Sequence, residues 1–242
     1  SVFQPGRPAY TLELVRPHRH MRNPKPLAPL VLALASPLLV AGPAAAHHRQ
    51  TPVVLPVGEG NDGSVSLLEL TVLARLVRER QPAEIFEIGT FDGRTTCALA
   101  ANAPQAAAIR TLDLPPDHST LYAVESSERM FIDKPASGSL LQGQPFALRV
   151  QQLYGDSATF DFSGYRASFV FVDGSHAYDY VINDSDRALR LLGGGPGVIL
   201  WHDYGEWHGV TRALNHLHST DARFAGLRQI RGTSLAVLEV GG

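Results

Sequence analysis

Phe86-Glu87-Ile88-Gly89-Thr90-Phe91-Asp92-Gly93-Arg94-Thr95-Thr96 is the stretch on which the fold turns. Glu84–Ile88 predicts a buried strand, and Arg94–Ala101 predicts the helix that follows it. Between them stand two glycines four residues apart. They let the backbone approach a ligand closely, and the helix amino end adds free N–H groups. A plain structural turn has the same look, so the spacing alone is a weak signal. Two features strengthen it: Glu87 lies two residues before the first glycine, and the turn opens the first helix of the sheet. A dinucleotide site wants Gly-x-Gly-x-x-Gly to fit a pyrophosphate. The first Gly-x-Gly is missing here, which turns the reading away from a nicotinamide cofactor and toward a ligand without that phosphate.

Outward from this turn, short β-branched runs alternate with helical stretches. Ser64–Arg80 carries a wide apolar helical face, with Asn61-Asp62-Gly63-Ser64 before it as turn and N-cap. Further strands are expected at Ile109–Leu112, Phe146–Gln151, Ser168–Val172 and Val198–Trp201. Helices are expected at Tyr178–Leu192, stopped by Gly193-Gly194-Gly195-Pro196, and at Val210–His218. Two closing strands fit Leu227–Arg231 and Ser234–Val240 around Gly232. Such alternation with a hairpin-like finish implies an α/β fold with a mainly parallel sheet. Ligands of such sheets bind at the carboxyl ends of the strands, so the residues just after each strand carry the argument.

Asp113 ends the second strand, 20 residues beyond Gly93. A carboxylate there is placed to accept both hydroxyls of a ribose; a turn or helix-cap role is the alternative. Asp156 and Ser157 follow the third strand and are candidates to read an adenine edge. Asp173 ends the fourth strand, His176 follows three residues later, and His202-Asp203 ends the fifth. Neighbouring strand ends lie about 5 Å apart. If strands four and five are adjacent, Asp173, His202 and Asp203 can therefore converge on one ion. Two carboxylates and an imidazole suit Mg²⁺, Mn²⁺, Fe²⁺ or Zn²⁺. The alternative packs His202 on Trp207 or Tyr204 and leaves Asp203 to cap the next helix. His176, as a neutral imidazole near pH 7, is a candidate general base, with a helix N-terminal contact as its alternative.

Glu87-Ile-Gly-Thr-x-x-Gly93-x-Thr95 with Asp113 resembles the cofactor signature of class I S-adenosylmethionine-dependent methyltransferases. The resemblance extends through Phe171-Val-Asp173-Gly-Ser-His176-x-Tyr178, Asp184, Gly193-Gly-Gly and Val198-Ile-Leu-Trp201-His202-Asp203-Tyr204. It is similar to methyltransferase family 24 and, more distantly, to metal-dependent catechol and macrolide-sugar O-methyltransferases. The resemblance implies a Rossmann-like methyltransferase fold: a mainly parallel seven-stranded sheet, its last strand antiparallel, with helices on both faces. It implies that Glu87, Gly89, Thr90, Gly93 and Thr95 line the methionine and ribose side of S-adenosyl-L-methionine. Asp113 then takes the ribose, and Asp156 with Ser157 lies near adenine. It places a divalent ion, magnesium first, on Asp173, His202 and Asp203. The tandem pair of those relatives is usually acidic or Asp-Asn, and His202 departs from it. His176 matches the general base of the sugar-modifying relatives.

Composition bounds the function. The chain has 242 residues, 44% of them apolar, enough for a sizeable core. Lys+Arg is 21 and Asp+Glu 23, a net charge of −2. That balance, with no basic stripe or aromatic platform, argues against nucleic acid or anionic lipid as partner. It suits a small neutral hydroxylated acceptor. Cys97 is the single cysteine, which excludes a disulfide framework and is expected in the core. Only Lys25 and Lys134 are lysines.

Residues 1–50 read as an apolar, Pro-rich extension, and residues 51–242 as the methyltransferase domain. Leu27–Ala46 is uncharged and signal-like, but three prolines break it. Short apolar helices that cap the domain or mediate self-association, in a cytoplasmic enzyme, are the expectation. Residues 115–144 are long, polar and poorly periodic, and are a candidate substrate lid. His118, in that segment, is a weaker candidate for substrate contact. His18, His20, His47 and His48 lie in the extension, and His208, His216 and His218 flank the penultimate helix. An O-methyltransferase acting on a sugar, glycoside or natural product is the leading reading. An N-methyltransferase or metal-independent enzyme, and a non-catalytic protein on the same fold, are the alternatives.

Overall fold

The computed structural model describes residues 52–56, 64–115 and 118–241, and the backbone of residues 30–32. Leu30–Leu32 (β1) pairs antiparallel with Val53–Leu55 (β2). Where the sequence points to short helices, these three residues are therefore a strand. The rest of the extension, with His18, His20, His47, His48 and the signal-like stretch around β1, lies outside the described residues. So does the expected turn at Asn61–Gly63.

A seven-stranded sheet forms the centre. It comprises Glu84–Ile88 (β3), Ala108–Asp113 (β4), Val150–Tyr154 (β5), Phe169–Val172 (β6), Gly197–Trp201 (β7), Arg228–Gln229 (β8) and Ala236–Val240 (β9), in the order β5-β4-β3-β6-β7-β9-β8. The pairs from β5 to β7 are all parallel, and β9 runs antiparallel to both β7 and β8. The expected Rossmann-like sheet is thus present.

Strand periodicity builds its two faces. Ile85, Phe169, Phe171, Val198 and Leu200 face one core, against Leu70, Leu73 and Val77 of Leu67–Arg80 (α1) and Ala98 and Leu99 of Arg94–Asn102 (α2). Phe86, Ile88, Val170, Val172, Ile199 and Trp201 face the other. That core is closed by Val181, Ala188 and Leu191 of Tyr178–Leu191 (α4) and Val210, Ala213 and Leu214 of His208–Thr220 (α5). Cys97 is buried within α2. His208, His216 and His218 are exposed on or at the start of α5.

Two local readings are corrected. Helix α1 is capped by Ser66, not Ser64: Ser66 Oγ accepts from Glu69 N, and Glu69 accepts from Ser66 N, a reciprocal capping box. The third strand is Val150–Tyr154, not Phe146–Gln151, because Ala147–Arg149 winds into a 3₁₀ turn. β5 is an edge strand and needs no continuous apolar run, so the apolar residues just before it mislead.

Residues 118–144 are folded rather than irregular. They contain a 3₁₀ turn at Ser126–Glu128, a single helical turn at Arg129–Ile132 (α3) and a second 3₁₀ turn at Ser139–Leu141. Gly138 N donates to Phe91 O at 2.8 Å and Leu140 N to Asp92 O at 2.9 Å. These bonds lay the segment over the β3–α2 turn. Among the described residues no helix is long and apolar enough to cross a membrane.

Candidate active site

The carboxyl ends of β3, β4, β5, β6 and β7 open into one cavity of about 150 Å³. That is small beside the roughly 300–1,000 Å³ of ordinary ligand sites. The reason is the covering segment, which sends Glu128, Phe131, Ile132 and Lys134 into the space.

The β3 end is fixed by backbone geometry. Gly89 has φ +99°, and a Cβ there would lie 1.9 Å from the Asp173 carbonyl oxygen. Only glycine lets β3 and β6 deliver their ends side by side. Gly89, Thr90 and Thr95 line the cavity. Gly93 stands behind, as the left-handed N-cap of α2 at φ 90°. Glu87 is set apart from the cavity and fully buried. Its Oε2 accepts from Thr96 Oγ1 and from Thr111 Oγ1 at 2.6 Å. Burial pushes its carboxyl up to about 8, against the hydroxyl bonds that pull the other way. Burial thus favours its protonated form near neutral pH, and the side chain stands beneath the turn rather than in the cavity wall.

At the β4 end, Asp113 Oδ1 accepts from Leu114 N at 3.0 Å and Oδ2 lies 2.9 Å from Lys134 Nζ. Asp156 and Ser157 line the cavity after β5. Both Asp156 oxygens already accept backbone amides, Leu121 N at 2.7 Å and Ala158 N at 2.9 Å. His118 is exposed and is not among the residues lining the cavity.

The β6 and β7 ends bring together the residues expected at the reacting centre. His202 Nδ1 lies 3.2 Å from Asp173 Oδ1 and 3.1 Å from Asp203 Oδ2. Asp203 has φ +65°, in the left-handed region, and its N–H donates to Ser234 Oγ at 3.2 Å. That conformation is uncommon outside glycine, and aspartate tolerates it better than most. It turns the carboxylate back toward His202 and His176. His202 does not pack on Trp207; it is His176 that stacks there, with ring centroids 4.0 Å apart and planes 10° from parallel.

His176 is held between two carboxylates. Nε2 is 2.9 Å from Asp203 Oδ2, and Nδ1 is 3.0 Å from Glu128 Oε1. Glu128 also accepts from the His176 backbone N–H and from Ser175 Oγ at 3.0 Å. Burial alone would lower the His176 pKa, but the hydrogen bonds and charges of Asp203 and Glu128 raise it to about 9. Two carboxylates on the ring thus favour its charged form near pH 7, where the sequence points to a neutral base. Burial likewise opposes charge on His202, yet Asp173, Asp203 and Glu69 drive its pKa well above the ordinary value.

Sequence reading missed Glu69, Glu128, Lys134 and Trp207. Ser66-x-x-Glu69 is a visible capping-box spacing, but nothing local ties Glu69 to His202, 133 residues away. Lys134 is the single lysine in the 51–242 stretch. No signal in the sequence marks Glu128.

Residues 86–204 match a family model described as a methyltransferase domain. No curated protein matches the chain. Among solved structures, the chain is similar to the O-methyltransferase TomG from Streptomyces achromogenes, solved with SAM. The identity is 22%, with 74% of this chain and 83% of that one covered, at a TM-score of 0.52. It is also similar to an O-methyltransferase from Bacillus cereus in complex with SAH, at 16% identity, 74% and 84% coverage and a TM-score of 0.51. The calicheamicin methyltransferase CalS11 aligns at 17% identity over 73% and 79% of the two chains, with a TM-score of 0.53. At such identities these likenesses speak for the fold, which agrees with the strand order found here. From Phe86 in β3 to Tyr204 just after β7 the chain thus carries a methyltransferase domain, on a sheet with the strand order of the Rossmann-like methyltransferase fold.

Proposed function

We propose that the protein is an S-adenosylmethionine-dependent O-methyltransferase acting on a hydroxyl of a small molecule, with a divalent ion at Asp173, His202 and Asp203. The observation that carries this reading is the single cavity that runs from Asp113 and Asp156 to Asp173, His176 and Asp203. A cofactor end and a proton-handling end share one space.

The residues fit an ion. One donor atom from each of Asp173, His202 and Asp203 lies within 4.8 Å of the other two. His202 Nδ1 is buried and lacks a hydrogen-bonded partner, although it faces two carboxylates. When bound, the cofactor supplies an electrophilic methyl group and the ion lowers the pKa of the acceptor hydroxyl. The chain's own residues do the rest. Asp113 offers Oδ2 to a ribose once Lys134 withdraws. Thr90 and Thr95 shape the wall after β3. Phe131 and Trp207 exclude water from around His176. Residues 118–144 act as a substrate lid and carry Glu128 and Lys134 away from the site when they lift. Loss of Glu128 removes one of the two carboxylates that keep His176 protonated. Nδ1 is then free to take the acceptor proton while Nε2 stays on Asp203. His176 Nδ1 would accept the acceptor's hydroxyl proton as the bound cofactor supplied the methyl group that replaces it.

Calorimetry with S-adenosylmethionine, followed by methyl-transfer assays on hydroxylated acceptors with and without EDTA, tests the proposal. Cofactor binding that Asp113→Asn weakens, with transfer lost in EDTA, supports it. No cofactor binding overturns it, and full transfer in EDTA removes the ion.

A further inference from the structure

Glu69 is bound far more tightly than a helix cap requires. The capping box needs only the Ser66 amide. Here Oε2 accepts from Ser66 N at 3.0 Å and Ser66 Oγ at 2.6 Å, while Oε1 accepts from Ser234 N at 2.8 Å and Ser234 Oγ at 2.7 Å. Oε2 also faces His202 Nε2 at 3.4 Å. The residue is only 5% exposed. The fold has thus built a fixed, buried hydrogen-bond acceptor on the far side of the His202 ring.

On the near side, Nδ1 faces Asp173 Oδ1 and Asp203 Oδ2, and makes no hydrogen bond. His202 is 7% exposed, and Nδ1 is among its buried atoms. A proton on Nε2, donated to Glu69, leaves the Nδ1 lone pair aimed at two carboxylates. A cation between them satisfies all three atoms; without one, a proton on Nδ1 takes that place. Cis ligands around a six-coordinate ion at about 2.1 Å are separated by roughly 3.0 Å. The 3.1 and 3.2 Å separations found here match that spacing.

We propose that Glu69 is a positioning residue that fixes the Nε2–H tautomer of His202. Nδ1 then joins Asp173 and Asp203 in a mixed nitrogen–oxygen site that takes a first-row transition ion, Mn²⁺ or Fe²⁺, in preference to Mg²⁺. A ligating histidine commonly gives its other ring N–H to a carboxylate, which orients the ring and raises its basicity. Imidazole favours the transition ions, whereas Mg²⁺ favours oxygen and keeps its waters. The inference rests on the ion reading above and adds to it the ion's identity and a fourth residue.

The test uses the full chain, stripped with chelator and titrated separately with MnCl₂ and MgCl₂. Mn²⁺ is expected to bind at least about tenfold more tightly than Mg²⁺. Pulsed electron paramagnetic resonance of the Mn²⁺-loaded protein should show ¹⁴N modulation from a directly bound imidazole. His202→Asp should abolish that modulation and reverse the preference toward Mg²⁺. Glu69→Gln should weaken Mn²⁺ by about 10- to 100-fold and leave the Mg²⁺ affinity little changed. If Glu69→Gln fails to fold, the spectrum of the wild type and the His202→Asp titration still decide. Equal affinities without ¹⁴N modulation overturn the proposal while leaving the ion reading intact. A Mn²⁺ affinity indifferent to Glu69→Gln overturns the positioning role. Binding of neither ion overturns the ion reading, and the proposal with it.

Discussion

Lys134 Nζ lies 2.9 Å from Asp113 Oδ2, with side chains 8% and 10% exposed, so the segment over the cavity is pinned to the β4 end by a buried ion pair. The same segment reaches Asp156 through the Leu121 amide and His176 through Glu128. One strap therefore touches each end of the cavity.

Removing one partner of that pair strands the other charge. Lys134→Met is expected to cost about 3 kcal/mol, and the Lys134→Met, Asp113→Asn double variant clearly less than the two single losses added together. Urea denaturation of the four proteins measures this. Strictly additive losses would mean that the pair carries no coupling.

Glu87 makes stability depend on pH. Its folded pKa of about 8 lies above the 4.5 of an ordinary glutamate in the unfolded chain. The stability it contributes is fully present below pH 4.5 and is lost as pH rises through 8. The loss across that window is on the order of 4 kcal/mol. Glu87→Gln should flatten that stretch of the stability profile and raise stability at pH 8 and above. Guanidinium melts at pH 5, 7 and 8.5 on both proteins would show it, and identical slopes would contradict it.

Asp203 separates backbone from chemistry. Asparagine tolerates the left-handed conformation at φ +65°. Asp203→Asn should therefore keep the fold while removing the charge that faces His176 and His202. Methyl transfer should fall about 100-fold, with a cooperative thermal transition retained. Near-normal rates from this variant would remove Asp203 from the reacting centre.

At Gly89 the constraint is steric. A Cβ 1.9 Å from the Asp173 carbonyl oxygen, at φ +99°, leaves no side chain room. Gly89→Ala should destabilise by about 3 kcal/mol or more and separate the ends of β3 and β6. Far-ultraviolet melting, with cofactor calorimetry on the folded fraction, checks both effects. Unaltered stability would show that β3 and β6 part without cost.

The linear order of residues was enough for the sheet. Alternation at Ile85-Phe86 and Phe169-Val170-Phe171-Val172 marks strands buried on both faces, because strand side chains alternate regardless of what lies beyond. The strand tips followed, and with them Asp113, Asp156, Asp173, His202 and Asp203. Edge strand β5 was misplaced because its own residues carry weaker apolar demand than the 3₁₀ turn before it.

Tertiary structure alone decided what those tip residues face. Glu69 reaches His202 across 133 positions, Glu128 reaches His176 across 48, and Lys134 reaches Asp113 across 21. No periodicity links such positions, because each contact depends on a helix docked on the sheet or a segment folded over its edge. Those contacts set the protonation of both histidines, since charge state follows the groups within a few ångströms rather than the neighbours along the chain. The sequence by itself determined the scaffold and where its chemistry is mounted. The packing decided that His176 is clamped in the closed site and that His202 stands between three carboxylates.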